Sequence, residues 1–470
     1  MITGDKLIEL GFKPGKWFKE ALEHINKFDL TGEAMVEYLN MAQPVEIPMI
    51  PLHKEHIPFH QNIVADSETE KVNMNAVIET MKVLMKTPTV VSGAIMPDAC
   101  PAGPIGTIPV GGVVVTKNAI HPGMHSADIC CSVMLTNLGK INPKTVLDMA
   151  ESVTHFGPGG RPRGKQFDLP IELEEAIKAN PLLKDNLSIA KEHLGTQGDG
   201  NHFLYIGTLK STGETVIVTH HGSRGFGAML YKTGMKIAEN YRTKLSKDTL
   251  PQNAWIPADT EDGINYWNAL QVIRNWTKQN HMILHDTIMK NLGIEMVDRF
   301  WNEHNFVFKD GDLFYHAKGA TPMDSKFMSD ITGPKIIPLN MAQSILLVDG
   351  GTTERNLGFA PHGAGRNLSR TQHKALYVGK SEQEIFDIET QGIDARFFSK
   401  AIDISELPSA YKNADDVKTQ INQFNLAQNV DEVLPFGCIM AGHIEEHWRK
   451  SRDNKRLHAA KRKESEANKK

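Results

Sequence analysis

The chain has 470 residues, enough for two or three domains or one large elaborated one. With 40% hydrophobic and 23% charged residues it has the composition of a folded globule, which excludes wholesale disorder. A net charge of −4 argues against a surface coated for nucleic acid, and four cysteines exclude a disulfide scaffold.

In chain order, the opening Met1-Ile2-Thr3-Gly4-Asp5-Lys6 lacks the basic, apolar and small-residue plan of a signal peptide. No run of 18 apolar residues occurs, so no membrane partner is expected and a cytoplasmic location with reduced thiols fits. Residues 1–45 read as a helical hairpin: a short helix over 3–12, a turn at Lys13-Pro14-Gly15-Lys16, and a second helix over 17–27. That segment resembles a small helical motif near the C-terminus of tRNA nucleotidyltransferases; an ordinary capping hairpin is the alternative.

Residues 46–442 form one large expected domain. Residues 113–115, 215–219 and 344–348 read as buried strands, and 70–86, 171–193, 228–246 and 264–291 carry helical periodicity. The basic loop 157–165 breaks the pattern. Strands and helices do not alternate regularly, so the fold class is α+β, with mixed sheets and flanking helices, rather than a Rossmann or barrel fold. Residues 443–470 are a basic tail; from Trp448 onward it carries net +7, which leaves −11 on residues 1–447. A solvated helix and a phosphate-seeking arm are both compatible with it.

The sequence holds 20 histidines, and histidine is both a metal ligand and a proton carrier. Five segments join glycine to groups that bind metal or phosphate. Met96-Pro97-Asp98 opens the first, which runs through Gly/Pro punctuation to Asp128-Ile129-Cys130-Cys131. A carboxylate and a thiolate three residues apart suit Mn²⁺, Fe²⁺, Co²⁺ or Zn²⁺ better than Mg²⁺ or Ca²⁺, though a buried free cysteine is often only packing. The second is Gly195 to Phe203, with an Asn201-His202 pair. The third runs from the strand 215–219 into His220-His221-Gly222-Ser223-Arg224-Gly225. The fourth holds Glu303-His304-Asn305 and His316 to Thr321. In the fifth, His362-Gly363-Ala364-Gly365-Arg366, a histidine leads a glycine turn with an arginine behind it, which suits a phosphoryl group held by guanidinium and amides.

Walker A is absent, and Lys309-Asp310-Gly311 has the wrong spacing for a lysine-dependent ligase. His443-Ile444-Glu445-Glu446-His447 matches the H-x-x-E-H pattern of inverted zinc peptidases but leaves only 23 residues for a third ligand. His281 and His285 have metal spacing on a helix, yet no glutamate follows the first, so a solvated helix face is expected there.

Taken in order, the five segments resemble the RtcB family of RNA ligases. Asp128-Ile129-Cys130-Cys131, Gly200-Asn201-His202-Phe203, His220 to Gly225, His304-Asn305 and His362 to Arg366 carry the likeness. It implies a GTP- and Mn²⁺-dependent ligase that joins RNA 3′-phosphate or 2′,3′-cyclic phosphate ends to 5′-hydroxyl ends, in RNA repair or tRNA splicing. By the same resemblance, Asp128, Cys131, His202, His220 and His304 hold two Mn²⁺ ions, with Cys131 between them. His362 takes GMP. Asn201, His202, Phe203, His304, Asn305, Pro338, Asn340, Met341, His362, Gly363, Ala364 and Gly365 hold the nucleotide. A monomer served by an activating protein belongs to the same expectation.

Several positions depart from the family pattern. Cys130 and Ser132 stand for glycines beside Cys131, His221 for a serine, Cys100 for a frequent histidine, and Tyr205 for a glutamate. Asn340 stands for a serine, and Ala441 for a lysine that contacts the guanine nucleotide. The alternatives are a divergent metal-dependent RNA-end phosphohydrolase that has lost nucleotide transfer, and a non-catalytic RNA-end-binding protein.

Overall fold

The structure, a computed structural model, describes residues 1–43, 48–328, 330 and 332–443. The expected boundary near residue 45 and the basic tail from 444 onward, with His447, lie outside the described residues. The chain divides into two compact units, Met1–Ile50 and Pro51–Lys470.

The first unit contains the two expected helices, Gly4–Glu9 and Trp17–Lys27, and a third, Gly32–Ala42. Leu7, Ala21, Ile25 and Leu39 are buried in its core. The Asn26 side chain ties the N-terminus down, accepting from the Ile2 N–H at 2.6 Å and donating back to its carbonyl at 3.0 Å.

The second unit is α+β, as expected. Its eight-stranded sheet runs in the order Lys335–Ile337, Ile345–Asp349, Gln428–Met440, Phe203–Leu209, Thr215–His221, Ser132–Asn137, Asp298–Glu303, with Asp394–Phe397 beside Gln428–Met440. The Asn302 side chain accepts from the Ile336 N–H at 2.8 Å, so the first and last strands meet and the sheet curls nearly closed. Period-two alternation separates its faces. Tyr205, Val216 and Val218 pack with Leu347 and Met440 on one face; Leu204, Ile206, Ile217 and Ile439 pack with Leu147 and Leu284 of the covering helices on the other.

A five-stranded sheet, in the order His60–Gln61, Val90–Cys100, Val110–Lys117, Leu313–Lys318, Asn305–Asp310, is covered by the helix Glu68–Leu84. That helix starts at a capping box in which Ser67 and Glu70 exchange hydrogen bonds. His304 is the single residue between Asp298–Glu303 of the large sheet and Asn305–Asp310 of the smaller one.

The helix expected over 171–193 is two, Ile171–Ala179 and Leu187–His193, because Asn180 precedes Pro181 and is pushed out of the helical region. The helix Glu261–Leu292 is capped by Thr260, whose hydroxyl accepts from the Gly263 N–H, and stops at Gly293, whose φ is +66°. His281 and His285 on it are not solvated: both are fully buried, a correction to the amphipathic reading. Thr219 Oγ1 lies 2.6 Å from His281 Nδ1 and 2.8 Å from His285 Nε2, Ser132 Oγ meets His281 Nε2, and Thr136 Oγ1 meets His285 Nδ1. Strand hydroxyls satisfy these imidazoles, and burial drives their pKa values well below the ordinary histidine value, so they stay neutral. No described helix is long and apolar enough to cross a membrane.

Candidate metal centre and nucleotide cavity

The strand pairings Val133↔His220, Ser132↔Glu303 and Phe203↔His220 place the ends of four neighbouring strands side by side. Cys131, His202 and His304 each flank one of those strands, and His220 lies near the end of its own. Sequence segments up to 173 residues apart therefore deliver their side chains to one spot.

Cys131 Sγ lies 3.2 Å from His220 Nε2 and 3.6 Å from His202 Nε2. His220 Nε2 is 3.1 Å from His304 Nε2, and His202 Nε2 is 3.2 Å from Asp128 Oδ2. These atoms form two groups, Cys131-His220-His304 and Asp128-Cys131-His202, sharing the thiol. Donors about 2.1–2.3 Å from a tetrahedral ion are roughly 3.4–3.8 Å apart. Most spacings here are slightly shorter, and with all donor atoms of each group within 4.8 Å of one another, a small outward movement of the side chains admits a divalent cation.

Hydrogen bonding aims the lone pairs. His202 Nδ1 is 2.7 Å from the Gln197 carbonyl and His220 Nδ1 is 3.1 Å from the Asn201 carbonyl. A carbonyl only accepts, so each Nδ1 carries the proton and each Nε2 turns its lone pair toward Cys131. Burial lowers His220 to about 3, so it is neutral, and burial followed by the Asp128 charge raises the Cys131 thiol. Asp128 completes the second group, its Oδ2 facing His202 Nε2. Gly222 is required beside it: a Cβ there would lie 2.0 Å from Asp128 Oδ1.

His362 follows the short strand Phe359–Pro361, which pairs with Ala320–Pro322. Its ring lies 4.7 Å from the His304 ring. Asp98, fully buried at the end of Val90–Cys100, accepts the His362 backbone N–H at 3.1 Å and lies 2.6 Å from Nδ1. Gly365, at φ +72°, lets the turn press against this strand; a Cβ there would meet the Asp98 carbonyl at 2.0 Å.

Both groups open onto a cavity of about 890 Å³ lined by Asp128, Cys131, His220, His304 and His362. Asn201, Phe203, Asn305, Pro338, Asn340, Met341, Gly363, Ala364 and Gly365 line the same cavity. Asn305 also stitches two loops, accepting from the Gly319 N–H and donating to the Asp128 carbonyl. His202 is not among the lining residues and faces Asp128 and Cys131 from behind.

A family model described as tRNA-splicing ligase RtcB matches residues 171–441. The chain belongs to the RtcB family. It is 27% identical over 415 residues to the tRNA-splicing ligase RtcB of Methanococcus maripaludis, covering 70% of this chain and 84% of that protein. It is 26% identical over 410 residues to the same-named protein of Aeropyrum pernix (71% and 84%) and over 407 residues to that of Thermococcus kodakarensis (70% and 84%).

Three of the positions that depart from the RtcB pattern, Cys130, His221 and Ala441, do not line the cavity. Cys130 adopts φ +58°, a left-handed conformation that glycine takes without strain, and its side chain is buried in the hydrophobic core. Its thiol does not line the cavity. His221 stacks on His281 at 3.5 Å in the layer behind the cluster. Ala441 packs with Leu204, Ile439 and Leu147, whereas Cys438 and Met440 of the same segment line the cavity.

Motif reading gave no role to Asp98, Glu406, Tyr411 or Lys318. Asp98 is the main one, because nothing in its spacing links it to a residue 264 positions away. Arg366 and Arg370 both ion-pair with buried Glu406, at 2.7 and 2.6 Å, and Tyr411 donates to the same carboxylate. Lys318 lines the cavity, and burial, partly offset by Cys100, brings its pKa down to about 8.

Proposed function

We propose that this RtcB-family protein is an RNA ligase that joins RNA 3′-phosphate or 2′,3′-cyclic phosphate ends to 5′-hydroxyl ends through a nucleotidyl-histidine on His362, using GTP and Mn²⁺. One observation carries the reading: the buried Asp98–His362 pair beside the Cys131-centred donor set, within one cavity. Asp98 holds the proton on Nδ1, which leaves the Nε2 lone pair free to attack the α-phosphorus of a nucleoside triphosphate, with pyrophosphate leaving. As the N–P bond forms the ring gains positive charge, and the adjacent carboxylate stabilises it.

Asp128, Cys131 and His202 would hold one Mn²⁺, and Cys131, His220 and His304 the other. Bound there, the cations would neutralise phosphate charge. Arg366 and Arg370 are held by Glu406 against the cavity, and one Arg366 nitrogen, Nη1, is buried without a partner, which suits an RNA phosphate. The order of events is opening of any cyclic phosphate, nucleotidylation of His362, transfer of GMP to the RNA 3′-phosphate, and attack by the 5′-hydroxyl with GMP leaving. A 3′-phosphate oxygen is a poor leaving group, and GMP is a good one. The reaction is expected in RNA repair or tRNA splicing, in a cytoplasmic monomer served by an activating protein.

Intact-mass measurement after incubation with GTP and Mn²⁺ tests the reading. The wild-type chain should gain one GMP and His362→Ala none. Phosphate release from RNA 3′ ends without adduct or joined product would instead establish the phosphohydrolase.

A further inference from the structure

The cavity wall has two chemically unlike parts. One is charged: Glu68, Asp128, Lys318, Arg366, Arg370 and Glu406. The other is built by the large sheet and the 338–345 segment. Phe203 and Tyr205, two apart on one strand, share a face with their cross-strand partners Met440 and Cys438. Met341 and Ile345 extend that face, and all six residues line the cavity. The Phe203 ring lies 5.2 Å from His220, so this apolar platform begins at the metal-ligating cluster. A planar heteroaromatic base fits such a surface, and phosphates fit the charged part.

None of the charged residues lining the cavity belongs to the platform. The Tyr205 hydroxyl spends its proton on backbone, lying 3.3 Å from the Gln343 carbonyl and 3.5 Å from the Val433 carbonyl. Of Asn340, the Oδ1 already accepts the Ala342 N–H at 3.0 Å. Its amide N–H remains, and it suits any ring acceptor, including the N7 that adenine and guanine share.

Guanine differs from adenine at its Watson–Crick edge, with N1–H and N2–H donors and an O6 acceptor. Rejecting adenine strongly requires a fixed acceptor for those donors. Sites built with such partners discriminate by about 10⁴–10⁵, whereas apolar pockets manage only about 10–200-fold. We propose that the platform seats the nucleotide base by stacking and takes adenine as well as guanine nucleotides, so that ATP serves alongside GTP in charging His362. This rests on the nucleotidyl-histidine reading above.

The test uses the full chain with Mn²⁺ and each of ATP, GTP, CTP and UTP, separately and in ATP/GTP competition, read as the rate of covalent adduct by intact mass. AMP and GMP adducts forming within about 100-fold of each other is the expected result. A GMP preference beyond about 100-fold overturns the inference and leaves the nucleotidyl-histidine reading standing. No adduct from any nucleotide overturns both. Two variants add an independent readout. Phe203→Ala should slow AMP and GMP adducts alike, by about tenfold or more. Tyr205→Phe should leave their ratio unchanged within about twofold, because the hydroxyl faces backbone; a ratio moved more than about tenfold would mean that Tyr205 reads the base, and the proposal would fail.

Discussion

Asp98 and His362, 264 residues apart in the chain, meet in a 2.6 Å contact between a fully buried carboxylate and the Nδ1 of an imidazole that lines the cavity. The same Asp98 oxygen accepts the His362 backbone N–H, so ring and main chain are held together. Asp98→Asn keeps the shape, but its amide NH₂ can face Nδ1 and favour the wrong tautomer. His362 adduct formation should then fall by about 10²–10⁴-fold while bound metal stays constant. In the proposed reaction Asp98 is a positioning residue, so the drop should come with a changed pH profile for adduct formation. An unchanged rate in Asp98→Asn would remove it from the mechanism.

Cys131 belongs to both donor groups, whereas His202 and His304 each belong to one. Cys131→Ala should therefore lose both metal ions, and His202→Ala or His304→Ala only one. Metal per chain, measured after equilibration with Mn²⁺ and gel filtration, would read near zero for the first and about half the wild-type content for the others. Equal losses in all three variants would contradict two sites joined by a shared thiolate.

The α+β class, the strands near 113, 217 and 346, and the convergence of five Gly/His segments were legible because each depends on local pattern. Histidines beside strand ends meet once those strands pair. Less legible was whatever depends on a partner far away in sequence. His281 and His285 look solvated on a helix of weak amphipathicity, yet Thr219, Ser132 and Thr136 from two strands satisfy them in the interior. Cys130 looks like a second thiol for the site until its φ of +58° sends the side chain into the core. Ala441 and Met440 show that one residue of register decides which side chain meets the cavity. Asp98 was hidden for the same reason: its role exists only after two strands from opposite ends of the domain are brought together.

Arg370 is half-exposed on the cavity wall, with its Nε–H on the Glu406 carboxylate, and in the proposed reaction its remaining N–H groups meet an RNA phosphate. Arg370→Ala should raise KM for RNA bearing a 3′-phosphate roughly 10–100-fold, the worth of a charge-assisted hydrogen bond, and leave GMP adduct formation within about twofold. Equal effects on both steps would place Arg370 at the triphosphate instead of the RNA end.

Two further buried histidines give the fold an acid sensitivity that does not depend on the reaction. His121 sits between Thr89 and the Asn253 carbonyl, and His125 meets the Tyr266 hydroxyl. Burial lowers His121 to about 3 and His125 to about 4, against about 6.5 for an exposed imidazole. Between those values the unfolded chain binds protons that the folded chain refuses. The stability these groups contribute is thus complete above about pH 6.5 and is lost as pH falls toward 4. Each contributes a slope of up to about 1.4 kcal/mol per pH unit in that window. The Tm of metal-free protein should drop from pH 7 to pH 5, and the double variant His121→Gln/His125→Gln should show a shallower drop. A Tm that is flat over this range in the wild-type chain, or a slope untouched by the double variant, would mean that these imidazoles are not held neutral by burial.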